Sequence, residues 1–185
     1  MKSINKYISF DLSLHKALSE FNQLILDEKA SLNILLTLLL DNWINLGYAC
    51  IYEEELFKNR ALVALMNYYR NPLDKGYENL IVDKFITYKA PNNSDLTSKI
   101  DKLHELNNGL FEVVDYKSGL YLPPKENMFN SLKVHKTIYV VYQKLGVYPD
   151  LFSYYYLRYN KKFTFKITKE YTCFLQQVLN SYGKL

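Results

Sequence analysis

Near the middle of the chain, Asn107-Asn108-Gly109 separates two apolar runs, Leu96–Leu106 and Leu110–Tyr116. No other feature restricts the fold as much. Asn and Gly tolerate left-handed backbone, so the tripeptide suits a three-residue hairpin loop with Gly109 in the αL position. Such a loop pairs Leu106 with Leu110, and counting outward sets Asp101 directly opposite Asp115. Directly opposed residues share one sheet face, with Cβ atoms about 5 Å apart. Alternation then puts Lys117 on the face of Asp115 and Tyr116 on the other. A slip of one residue would undo the alignment.

Two opposed carboxylates repel one another and weaken a hairpin. A cation held between them reverses the sign. Hard oxygen ligands suit Mg²⁺ or Mn²⁺, which keep waters and accept a substrate phosphate as a further ligand. A lysine beside such a pair can orient an attacking water or stabilise phosphate charge. Asp101, Asp115 and Lys117 therefore have the composition of a metal-assisted phosphodiester hydrolysis site, although Asp-x-Lys alone is common on ordinary surface hairpins. The run Phe111-Glu112-Val113-Val114 leads into these charges as an interior strand reaching a cleft would.

The rest of the pattern predicts a single domain over 1–185. Residues 1–70 carry helical periodicity: Ser9–Ile25 with Leu12, Leu18, Phe21 and Leu24 on its stripe, then Ala30–Leu46, then Glu53–Tyr69, which stops at Asn71-Pro72. A sheet core follows over 77–168. Its expected strands are Leu80–Tyr88, the two hairpin runs, Leu151–Tyr159 and Phe163–Ile167, with a helix over 126–145 and a turn at Asn160-Lys161. A closing helix occupies 169–182. The fold class is α/β, a mixed central sheet flanked by helices with an N-terminal helical segment.

Net charge is +4, unevenly spread. Residues 1–70 hold seven Lys/Arg against eight Asp/Glu, whereas 116–169 hold ten basic residues against only Glu126 and Asp150. Such a stripe matches a phosphate backbone, and also an ordinary lysine-rich surface. Lys2 and Lys6 lead into an amphipathic segment, unlike a secretory leader, and the longest apolar stretch, Ile34–Leu40, is too short to cross a bilayer. Two cysteines, Cys50 and Cys173, cannot supply a four-thiolate cluster, so no iron–sulfur cluster is expected. The expected compartment is the cytoplasm, without membrane association. Tyr154-Tyr155-Tyr156 would form an aromatic docking face if exposed, but strand alternation buries such residues as readily.

The same residues resemble the RecB-like exonuclease branch of the PD-(D/E)XK nuclease superfamily. That family's pattern is a Gly-x-Ile-Asp-Arg strand followed by a hydrophobic strand ending in Asp-Tyr-Lys-Thr-Gly. Here Ser98-Lys99-Ile100-Asp101-Lys102 and Val113-Val114-Asp115-Tyr116-Lys117-Ser118-Gly119 stand in those places, with Ser98 for Gly and Lys102 for Arg. Upstream, Leu14-His15-Lys16-Ala17-Leu18 resembles the helix that carries a metal-site histidine. Downstream, His135-Lys136-Thr137-Ile138-Tyr139 has the spacing of a Gln-Leu-x-x-Tyr helix, with His135 replacing the glutamine. The resemblance implies a restriction-endonuclease-like core and a Mg²⁺- or Mn²⁺-dependent deoxyribonuclease, exonuclease-like, acting on DNA. Its partners could include a helicase or another repair or recombination protein. It implies Asp101 and Asp115 as metal ligands with His15, Lys117 as catalytic lysine, His135 and Tyr139 as substrate-positioning residues, and Asp83 in a subsidiary role. The change to His135 leaves an alternative: a non-catalytic nucleic-acid-binding or assembly module that retains the fold.

Overall fold

Asn5 opens the first helix by accepting the backbone N–H groups of Tyr7 and Ile8 on its side-chain oxygen, at 3.0 and 3.1 Å. The computed structural model describes residues 4–24, 30–90, 93–124 and 128–181. Ile25, residues 126–127 and Tyr182, each at an expected element boundary, lie outside the described residues. The elements are α1 (Lys6–Leu24), α2 (Leu32–Asp41), α3 (Ile51–Arg70), β1 (Glu78–Lys89), β2 (Asp95–Glu105), β3 (Phe111–Lys117), α4 (Leu132–Leu145), β4 (Leu151–Tyr156), β5 (Lys161–Lys166) and α5 (Lys169–Ser181). Among these residues no helix is long and apolar enough to cross a membrane.

Two compact units share the chain. One takes Met1–Lys75, Tyr116–Leu122 and Tyr154–Lys162; the other takes Gly76–Asp115, Pro123–Ser153 and Phe163–Leu185. In the first, α1 buries Phe10, Leu14, Ala17, Leu18 and Phe21. Those positions recur at helical spacing and leave Leu12, expected on the stripe, 44% exposed on the opposite side. The second helix stops at Asp41, short of the expected Leu46. Asn42 ends it: its backbone N–H and its side-chain amide both donate to the Leu38 carbonyl. The chain then leaves with the Ile44 N–H donating to Ser13 Oγ at 2.9 Å. Glu53 and Glu54 in the first turn of α3 and Arg70 in its last complement the helix dipole.

The five strands form one mixed sheet in the order β1-β2-β3-β4-β5. β1 pairs antiparallel with β2, and β2 with β3. Gly76 lets the chain enter β1 closely, because a Cβ there would sit 2.7 Å from both the Glu105 carbonyl and His104 Nδ1. α4 begins at Leu132, later than expected, where Ser131 Oγ accepts the Val134 N–H, and ends at Gly146 in left-handed backbone. It packs on β1 and β2, with Ser98 and Thr137 hydroxyls bonded to each other. β4 ends at Tyr156 and gives way to a 3₁₀ turn over Leu157–Tyr159, which Asn160 closes at φ +45°. Tyr154, Tyr155 and Tyr156 are all buried, so they form no exposed aromatic face.

Candidate functional site

The hairpin loop has the expected geometry. Gly109 adopts φ +75°, its N–H donates to the Leu106 carbonyl at 2.9 Å, and the Leu106 N–H donates to the Leu110 carbonyl at 2.8 Å. The β2–β3 ladder runs from Glu105↔Phe111 to Lys102↔Val114. One step further, that register would set Asp101 opposite Asp115, and both are buried, at 8% and 5% exposure.

The register continues into β1. Val82↔Lys102 and Lys84↔Ile100 bracket Asp83 and Asp101 as the intervening pair. Asp83 sits at φ +48°, a left-handed conformation that Asp tolerates better than most residues. Three aspartates thus lie at one level across three adjacent strands. Lys99 and Lys133 approach them. Lys99 Nζ lies 2.5 Å from Asp83 Oδ1 and 3.9 Å from Asp101 Oδ1, and Lys133 Nζ of α4 lies 2.9 Å from Asp115 Oδ2. Charges this close to an apolar interior need such partners, since transfer from water costs several kcal/mol per ion, on the order of 5. The Lys133 side chain is half-exposed. Lys99 had a signal in the sequence, two positions before Asp101 on the same strand face; Lys133, from a distant helix, had none.

In the other unit, His15 Nε2 lies 3.4 Å from Asp11 Oδ1, one helical turn away. Ser118 Oγ donates to the same carboxylate oxygen, and the His15 ring stands edge-on to Tyr116. Asp11 is thereby placed to orient the imidazole. Lys117 Nζ sits 4.8 Å above the Tyr154 ring. Tyr116, between Asp115 and Lys117, is buried in a polar knot: its hydroxyl donates to Asp74 Oδ2 at 2.5 Å and accepts from Asn22 Nδ2 at 3.1 Å. Tyr68 donates to the same Asp74 oxygen at 3.2 Å. Burial first, and the Asp74 charge second, hold the Tyr68 and Tyr116 phenols well above their ordinary pKa.

His135 and Tyr139 are both buried and both engaged within their unit. His135 Nδ1 is bonded to the Tyr171 hydroxyl at 2.6 Å, and burial pushes its pKa down. The Tyr139 hydroxyl donates to the Lys89 carbonyl at 3.2 Å. Among the described residues no three His, Cys, Asp or Glu side chains group as a metal centre would. The structure therefore brings Asp83, Asp101 and Asp115 to one level of the sheet, with His15 and Lys117 in the other unit. No protein-family model matches the chain, and no curated protein matches it.

Proposed function

We propose that this protein is a Mg²⁺- or Mn²⁺-dependent nuclease that hydrolyses DNA phosphodiester bonds, exonuclease-like, on a PD-(D/E)XK core. One observation carries the reading: Asp101 and Asp115 are both buried at the step after Lys102↔Val114, where the β2–β3 register, carried on, would oppose them. Nothing in strand packing requires that pair, and it is costly without a positive partner. The mixed sheet and the helix α4 between β3 and β4 are compatible with such a core.

The donor set fits a hard divalent ion. Two carboxylates are few, but Mg²⁺ is commonly held by one or two of them and keeps several waters. When bound, the ion supplies Lewis acidity and a water of lowered pKa. Asp101 and Asp115 would hold it. Lys117 is assigned to orient the attacking water or stabilise phosphate charge. Lys99 and Lys133 balance the carboxylates electrostatically and would turn toward the phosphate backbone with a cation in place. The basic excess over 116–169 fits DNA as partner.

The test is cleavage of end-labelled single- and double-stranded DNA with Mn²⁺. Asp115→Ala is expected to lower the rate by at least about 100-fold. Equal cleavage by variant and parent would overturn the assignment.

A specific observation favours a second reading, a nucleic-acid-binding module without catalysis. Lys99 and Lys133 already balance the acidic row, and His135 is committed to Tyr171. On that reading Mn²⁺ leaves the melting temperature unchanged. On the nuclease reading Mn²⁺ at about 100 times its Kd adds about 2.7 kcal/mol of stability.

A further inference from the structure

A cavity of about 610 Å³ opens beside the edge strand β5, against the start of α5 and the Phe129–Asn130 segment. Four aromatic rings wall it. Phe129 and Phe165 stack at 5.2 Å with planes 19° apart, and Tyr171 stands edge-on to Phe165 at 5.1 Å and 73°. Phe174 completes the rim at 45% exposure. The rings are braced from behind, because Tyr171 is bonded to His135, whose ring also meets Phe174 edge-on at 5.7 Å. Asn130, Thr164 and Lys166 complete the lining, with the Thr164 hydroxyl bonded to Ser153 Oγ.

Flat apolar walls with Asn130 and Lys166 among the lining residues match the parts of a nucleotide. A base stacks on ring faces, its edge meets an amide, and its phosphate meets a lysine. The volume lies within the roughly 300–1,000 Å³ of small-ligand pockets. Five of its seven lining residues fall in the 116–169 stretch, where basic residues far outnumber acidic ones, which favours a polyanion over an apolar peptide. We infer that this cavity is a subsite for one base of a single-stranded nucleic acid. The inference shares the nucleic-acid partner of the proposed function but uses neither Asp101 nor Asp115.

The test is fluorescence anisotropy in EDTA, comparing a short fluorescein-labelled oligothymidine with an abasic oligomer of equal length and charge. The protein is expected to prefer the oligothymidine by about tenfold, within the range of one stacked base. Phe174→Ala should abolish that preference and leave abasic binding unchanged, while Phe174→Trp should retain it. Phe174 is exposed enough for either change to leave the fold intact. Equal affinity for the two oligomers, a preference that survives in Phe174→Ala, or no binding of either would overturn the subsite. Asp115→Ala should keep the preference, so loss of cleavage and loss of base stacking are read independently.

Discussion

Asp74 and Asp115 are buried to nearly the same degree, at 1% and 5% exposure, yet they are held by different chemistry. Asp74 accepts hydrogen bonds from two buried phenols, Tyr68 and Tyr116. Asp115 faces the ammonium of Lys133, whose stem reaches in from a half-exposed position. A phenol fixed in a packed interior cannot withdraw without opening the core. A lysine on a flexible stem can swing to solvent and surrender its place to another cation. One carboxylate is thus built into the scaffold, while the other remains available for exchange.

The largest effect should come from the fixed carboxylate. Tyr116→Phe removes a charge-assisted hydrogen bond from a buried site, and should cost about 2 kcal/mol in urea denaturation. A loss below about 0.5 kcal/mol would put the knot on the same footing as the exchangeable pair. At the sheet, Asp101→Asn should act in the opposite direction. It relieves the opposed carboxylates and leaves Lys99 with Asp83, so the metal-free protein should gain up to about 1 kcal/mol, or a few degrees in Tm. Destabilisation there would mean that Asp101 is scaffold as well.

Lys133→Met sharpens the contrast further. Removing that ammonium leaves the buried Asp115 carboxylate short of a cation and should cost the metal-free protein on the order of 1 kcal/mol. Mn²⁺ should nonetheless bind more tightly in isothermal titration, because the competing ammonium is gone. The smallest expected effect is at His135. Burial lowers its folded pKa below the unfolded value, so the unfolded chain takes up the proton first. The stability present above the unfolded value is therefore lost as pH falls through the folded one. Melting curves between pH of about 7.5 and about 5.5 should show this slope in the parent and a shallower one in His135→Gln.

The exchangeable site was legible in the sequence because its information is local. Asn107-Asn108-Gly109 fixes a loop, the loop fixes a register, and the register pairs Asp101 with Asp115 across an interval that can be counted. The knot around Asp74 was not legible. Asp74 follows Pro72 in a short connection; its partners Tyr68 and Tyr116, and the Asn22 amide that donates to Tyr116, come from two helices and a strand with no shared periodicity. Helix ends were missed for a related reason. Asn42 stops α2 by turning its own amide onto the Leu38 carbonyl, a choice that apolar spacing does not record. The left-handed backbone at Asp83 was equally silent, since its neighbours in β1 carry ordinary strand residues.

The hairpin loop also determines which mutations this chain can absorb. Substitutions at Asn107 or Asn108 leave the count between the two acids untouched. A single residue inserted beside Gly109 preserves every side chain of the proposed site and slides one strand by a step, presenting Asp115 to a residue of the opposite face. Through that turn the spacing of the acids is inherited as a length, so the site is more vulnerable to an insertion than to most replacements.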